Sequence, residues 1–181
     1  MERHLLLTGV PGVGKTTLCK CIINVLQQKN CGKVKGFLTE EVRNQSSRIG
    51  FDIVSVDGTV RAPLARDRGI LKGPKVSKYT VDINSLELNA LPLIKPGDSN
   101  VRVIVIDEIG KMELFSHRFK SKVMHLFSCD SICLVCTVPV HSNPFVNSLK
   151  QRDDVKLLEV TRDNRNDLIN VACDFILSRI C

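Results

Sequence analysis

The chain has 181 residues, 43% of them hydrophobic, with a net charge of +7, which suits one folded domain over 1–181 and excludes a disordered chain. Its longest apolar runs, 103–106 and 132–138, fall far short of the ~20 residues of a membrane span, and the opening Met-Glu-Arg-His does not lead into a signal peptide. The charge is scattered and no basic-aromatic stripe accompanies it, which argues against nucleic-acid binding and leaves anionic small molecules as the partners to explain it; a cytosolic monomer is expected, with the nucleus left open.

In chain order, residues 3–8 predict a strand through Leu5, Leu6 and Leu7, and 9–14 a loop. A helix is expected over 15–28, with Leu18, Ile22, Val25 and Leu26 on one face, ending at 30–32. Strands over 34–42 and 49–56 flank a polar turn at 44–47 and form a hairpin that ends at Asp57 and Gly58. Residues 59–78 are rich in Pro, Gly, Lys and Arg and predict a long surface loop. A short helix or turn over 82–91 and a loop over 92–100 precede the strand 101–106. Then come a helix over 113–127, a strand over 132–138, a loop to 144 and a short helix over 145–150. A strand over 155–160 and a helix over 163–179 complete the pattern. Strands alternating with helices, plus one hairpin, predict an α/β phosphate-loop fold: a mostly parallel sheet sandwiched by helices.

Eight cysteines are present. Cys133 and Cys136 lie in an apolar strand, where positions three apart face opposite ways and cannot share a metal or form a redox pair. Buried thiols without a disulfide framework are expected.

The chemistry concentrates first in Gly9, Val10, Pro11, Gly12, Val13, Gly14, Lys15 and Thr16, followed by Thr17. This is Gly-x4-Gly-Lys-Thr placed after a strand and opening a helix, the context in which it binds phosphates. Glycines let backbone N–H groups face inward, and the helix start adds further N–H groups and its positive dipole end. Lys15 can reach the β- and γ-phosphates, and the Thr16 hydroxyl can ligate magnesium. Val103, Ile104, Val105 and Ile106 then lead into Asp107 and Glu108, an apolar strand ending in acid. Asp107 can hold the magnesium shell beside Thr16, and Glu108 can take a proton from an attacking water. Ile109 and Gly110 complete an Asp-x-x-Gly, but the guanine reader Asn-Lys-x-Asp is absent, which argues against a regulatory GTPase and for loose base selectivity.

Further candidates stand with open alternatives. Arg165 can stack on the base and Asn164 can bond its edge, or the segment after the last strand caps a helix through Thr161 or Asp163. Arg43 and Arg48 can supply a transition-state cation, or be solvated surface residues. Lys111 can approach the γ-phosphate or pair with Glu108 or Glu113. The expected catalytic set is Glu108, Lys15, Arg43 and Arg48. A kinase that closes the basic loop 61–78 over its substrate is the alternative activity; a binding module governed by its nucleotide state is the third reading.

Several of these segments together resemble one family. Gly-Val-Pro-Gly-Val-Gly-Lys-Thr-Thr at 9–17, Gly-Phe-Leu-Thr-Glu-Glu-Val-Arg at 36–43, Arg-Ile-Gly-Phe-Asp at 48–52, Val-Ile-Asp-Glu-Ile-Gly-Lys-Met-Glu-Leu-Phe at 105–115 and Asp-Asn-Arg-Asn at 163–166 look like the thermophilic nucleoside-triphosphatase family. That resemblance implies magnesium-dependent hydrolysis of several nucleoside triphosphates, with nucleotide binding carried by 9–16 and 103–110. The segment 66–78 departs from the family in being shorter, and Asp67 and Arg68 change its charge.

Overall fold

The computed structural model describes every residue except 70, 71, 98, 99 and 142; the parts of three expected loops that include these positions lie outside the described residues. Nine strands among the described residues form one sheet in the order β5-β6-β4-β3-β2-β7-β8-β1-β9. They are β1 (His4–Gly9), β2 (Lys33–Asn44), β3 (Ser47–Ser55), β4 (Arg61–Arg66), β5 (Lys75–Val76), β6 (Tyr79–Val81), β7 (Val101–Asp107), β8 (Cys133–Pro139) and β9 (Val155–Glu159). The strands β9, β1, β8, β7 and β2 run parallel. From β2 outward the pairings turn antiparallel through β3, β4, β6 and β5.

The parallel half explains the unbroken apolar runs. Leu5, Leu7, Val103, Val105 and Cys133 pack on one face with Leu18, Ile22 and Leu26 of helix α1 (Lys15–Lys29) and with Ala172 and Ile176 of α5 (Leu168–Ile180). Leu6, Ile104, Ile106, Leu134 and Cys136 pack on the other face. There they meet Leu86 and Ala90 of α2 (Ile83–Leu93), Phe119 and Val123 of α3 (His117–Phe127), and Leu149 of α4 (Pro144–Lys150). A strand covered on both faces has no use for polar alternation. Cys133 and Cys136 do face opposite sides, and burial pushes the Cys133 thiol up to about 12.

Four expectations need correction. Residues 59–78 are not one long loop: β4 and β5 lie within them, so the hairpin grows into an antiparallel wing. Pro63 sits in β4, where its missing N–H gave the impression of loop. The helix expected from residue 113 is split, because Ser116 takes an extended conformation and its Oγ accepts from Phe119 N–H at 3.0 Å to cap α3. The last helix begins at Leu168 rather than 163, since Thr161 and Asn164 bond each other reciprocally in a turn before it. Cys31 and Cys181 are joined in a disulfide with Cα atoms 5.9 Å apart across 150 residues of sequence. The cysteine count could not reveal that pairing, which depends on α1 and α5 lying side by side.

His4 ties the start of β1 into the core. It is 0% exposed, its Nδ1 accepts from Leu134 N–H at 3.2 Å, and its ring meets Phe127 edge-on at 5.0 Å. Burial lowers its pKa from 6.5 to about 4, against the pull of Asp154. The folded state therefore binds this proton less readily than the unfolded chain does. Stability from a neutral His4 is full above pH 6.5 and is lost as pH falls toward 4, by at most about 3 kcal/mol. Urea unfolding at pH 7 and at pH 4.5 should show that loss in the wild type and a smaller one in His4→Gln; equal losses would assign the acid sensitivity to other groups.

Candidate active site

β1 delivers the chain into the phosphate loop at Gly9, where a Cβ would lie 2.6 Å from the carbonyl oxygen of Val160. That close approach admits only glycine. Val160 N–H in turn donates to Thr8 O at 2.7 Å, locking the loop against the segment after β9. Helix α1 starts from Gly14, at φ 115°, with no side chain capping its first N–H groups. Those donors and the helix dipole face the loop, as phosphate binding needs. Lys15 Nζ donates to Gly9 O at 2.7 Å and Val10 O at 3.3 Å, so its cation lies over the loop's own mouth.

The C-terminal end of β7 lies opposite. Asp107 is 1% exposed, and three threonines from three other elements hold it. Thr16 Oγ1 of α1 donates to its Oδ2 at 2.7 Å, and Thr137 Oγ1 of β8 donates to its Oδ1. Thr39 Oγ1 of β2 donates to its main-chain oxygen at 2.6 Å. Burial pushes the Asp107 carboxyl up, and the Thr137 and Thr16 hydroxyls pull it back. Among the described residues no Lys or Arg forms an ion pair with it. A buried carboxylate beside a hydroxyl, both hard oxygen donors, fits magnesium with its remaining positions filled by phosphate oxygens and water.

Glu108 follows. Burial raises its carboxyl, with Lys15 working against the rise. The turn after it is set by Ile109 N–H donating to Thr137 O at 2.9 Å and Gly110 N–H donating to Glu113 Oε2 at 3.0 Å. Glu113 is 4% exposed; burial and the nearby Glu108 charge raise it to about 8. Gly110 leaves room for Glu108: a Cβ there would sit 2.5 Å from Glu108 Oε1.

The phosphate loop, Asp107 and Glu108 line one cavity of about 850 Å³, which continues over the wing past Thr39, Glu40, Arg48, Phe51 and Tyr79. Of the three arginines expected at the site, Arg43 and Arg48 as cations and Arg165 under the base, only Arg48 lines it. Arg43 bonds Glu41 Oε2 through Nε at 3.0 Å and Nη2 at 2.7 Å, outside the cavity. Arg48 is held too, by Glu41 Oε1 at 2.6 Å and Tyr79 Oη at 3.0 Å. Lys111 lines the cavity, and among the ion pairs of the described residues none joins it to Glu108 or Glu113. Arg165 crosses the phosphate loop, with Cδ 3.6 Å from the Cβ position of Gly14 and Nη1 donating to Val13 O at 3.3 Å. The Asn164 side chain bonds within its own turn, accepting from Thr161 N–H at 2.8 Å and donating to Glu159 O at 2.9 Å. The basic segment considered as a kinase lid is committed elsewhere: Arg61 and Arg66 both bond the Asp52 carboxylate.

Sequence reasoning missed Thr39, Thr137, Glu113 and the wing wall. Thr137 is the one polar residue in its strand, and a fully buried polar side chain at a strand's carboxyl end is a usable signal. Thr39 and Glu113 stood inside the segments that carried the family resemblance, without an assigned role.

The fold and the site together define a phosphate-loop nucleotide-binding protein of the mixed-sheet kind. Residues 4–172 match the model of the family described as NTPase. A cancer-related nucleoside-triphosphatase homolog of Mus musculus is 44% identical over 180 residues, covering 93% of this chain and 94% of that one. The solution structure of a human cancer-related nucleoside triphosphatase matches with a TM-score of 0.84 at 42% identity, covering 97% of this chain and 98% of that one. The crystal structure of THEP1 from Aquifex aeolicus matches with a TM-score of 0.81 at 31% identity, covering 96% and 98%. The chain belongs to the NTPase family, whose members are hydrolases named as nucleoside-triphosphatases.

Thr137→Val keeps the shape of the side chain and strips Asp107 Oδ1 of its donor. Leaving a buried carboxylate oxygen unpaired should lower stability by about 1–3 kcal/mol, read as an earlier urea midpoint with an unchanged slope. An unshifted midpoint would mean that water replaces the hydroxyl at no cost.

Proposed function

We propose that this protein hydrolyses nucleoside 5′-triphosphates to the diphosphate and phosphate, with magnesium and with little preference among ATP, GTP, CTP and UTP. The observation that supports the reading best is Glu108, directly after a magnesium-competent Asp107, in a cavity shared with the phosphate loop. Backbone N–H groups of that loop and of the start of α1 bind the phosphates, with Lys15 turning to the β- and γ-oxygens. Thr16 and Asp107 would hold magnesium, which when bound neutralises charge on those oxygens. Glu108 takes a proton from water as the water oxygen bonds the γ-phosphorus, and the β–γ bridging bond breaks toward the leaving diphosphate. Gly110 and Glu113 keep the Glu108 carboxylate on station. Lys111 is the added cation that this reading favours over Arg43 and Arg48, both of which Glu41 engages.

Broad base tolerance draws on two features. The chain has no Asn-Lys-x-Asp guanine reader, and the Asn164 amide is engaged in its own turn. Arg165 then offers a planar cation that any base can stack on.

Phosphate release from the four triphosphates, with magnesium and with chelator, tests the reading. All four should turn over, and chelation should stop them. Glu108→Gln should bind nucleotide and lose turnover by about 10²–10⁴-fold; normal turnover would place the base elsewhere. Lys15→Ala should weaken nucleotide binding by about 1.5–3 kcal/mol, and unchanged affinity would remove Lys15 from the phosphate site. Gly110→Ala should keep affinity and lower kcat by up to about 10²-fold, as a displaced catalytic group does; a wild-type kcat would show that Glu108 needs no such room.

A further inference from the structure

The sheet order lays the site out along its carboxyl edge. The segment after β9, with Arg165, lies beside the phosphate loop after β1; then come Glu108 after β7, Thr39 on β2, and Arg48 and Phe51 on β3. At ~4.8 Å per strand, β7 stands ~10 Å from β1, and β3 a further ~10 Å beyond β7. A nucleoside triphosphate with its base toward Arg165 and its γ-phosphate at Glu108 therefore ends where the wing half of the cavity begins. That half is lined by Glu41, Arg48, Phe51, Val76, Tyr79 and Met112. Hydrolysis needs only a water there, and a water fills ~30 Å³.

The wing half is furnished for something flat. Phe51 and Tyr79 meet edge to face at 5.2 Å. The Arg48 guanidinium lies 5.0 Å from the Phe51 centroid and 5.8 Å from that of Tyr79. Glu41 and Tyr79 Oη hold it by hydrogen bonds, yet its side chain remains 42% exposed. Val76 and Met112 are partly buried and add apolar walls. A planar cation braced on two rings is a stacking surface for a heteroaromatic ring. Arg165, which lies against the phosphate loop rather than in the cavity wall, presents a second planar cation at the other end of the site.

Resting on the hydrolase reading above, we propose that the wing is a second ring-binding subsite, and that the substrate class extends to dinucleoside polyphosphates, with one base at Arg165 and the other on the Arg48–Phe51–Tyr79 platform. The reaction keeps the same balance. Water oxygen bonds the third phosphorus from the Arg165-side nucleoside, the bridging bond between the second and third phosphorus breaks, its electron pair leaves with the diphosphate, and Glu108 takes the water's proton. Diadenosine tetraphosphate plus water gives two ADP.

The test compares diadenosine tetraphosphate with ATP as substrates of the magnesium-loaded protein, with products resolved by chromatography. The expected result is two ADP per tetraphosphate and a KM about tenfold or more below that for ATP, the effect of one added base stack. Phe51→Leu should erase that advantage while ATP turnover persists. Val76→Glu, at the lip of the lobe, serves as a second variant with the same expectation should Phe51→Leu fold poorly. ATP hydrolysed normally while the tetraphosphate is inert, or binds no better than ATP, would overturn the subsite and leave the hydrolase reading standing. An advantage that survives in both variants would overturn it as well. Free adenosine added to ATP is the remaining arm: if it alone lowers the KM for ATP as the tethered ring would, the platform takes unlinked nucleosides and the dinucleotide class falls.

Discussion

Asp107 is where the molecule is stitched together. A carboxylate at the end of a central strand, 1% exposed, would be costly to bury without partners. The Asp107 carboxylate accepts from Thr16 of α1 and Thr137 of β8, and Thr39 of β2 donates to the main-chain oxygen of the same residue. Satisfying one buried residue thus fixes the phosphate-loop helix and the three central strands relative to one another. The same bonds leave a carboxylate oxygen and a hydroxyl side by side at the cavity floor. The requirement that stabilises the core is also the one that sets these two oxygens together.

Around that anchor the acidic turn is built without exposed scaffolding. Glu113 reaches back to Gly110 N–H, and Gly110 gives up its side chain to the Glu108 carboxylate. Burial raises the proton affinity of both carboxyls in this turn, and the neighbouring acids add to it, Asp107 for Glu108 and Glu108 for Glu113. Lys15, from the opposite wall, is the charge that favours Glu108 in its ionised form. Acid and cation are therefore coupled across the cavity before any phosphate enters.

The antiparallel wing has a different physical basis. It does not share the two-sided apolar burial of the parallel strands. Ion pairs cover much of it instead: Asp52 binds Arg61 and Arg66, Glu40 binds Lys20 and Arg61, and Glu41 binds Arg43 and Arg48. The exposed pairs among them add little stability singly, but together with the buried Asp52 they orient the wall of a cavity. They also account for part of the chain's surplus of basic residues, which composition alone assigned to phosphate.

The phosphate loop, the acid-tipped strand and the sandwiched sheet were legible in the sequence because each is written in consecutive residues. Gly9 through Thr16 carry their own turn geometry and helix start, and 101–107 carry the apolar run that only two-sided burial explains. The wing was not legible: β5 and β6 span two and three residues, too short to show alternation, and Pro63 and the basic residues read as loop. Arg43 and Arg48 looked equivalent, and they stand opposite each other across β2 and β3 and both bond Glu41; only the contact of Arg48 with Tyr79, a residue of the distant strand β6, goes with a place in the cavity wall. Thr39 and Thr137 stand 68 and 30 residues from Asp107, and Cys31 stands 150 from Cys181. Sequence by itself determined the residues that bind through local backbone geometry. Tertiary structure decided which distant side chains share a buried group or a cavity, because those partnerships depend on strand order and helix packing, which no local pattern encodes.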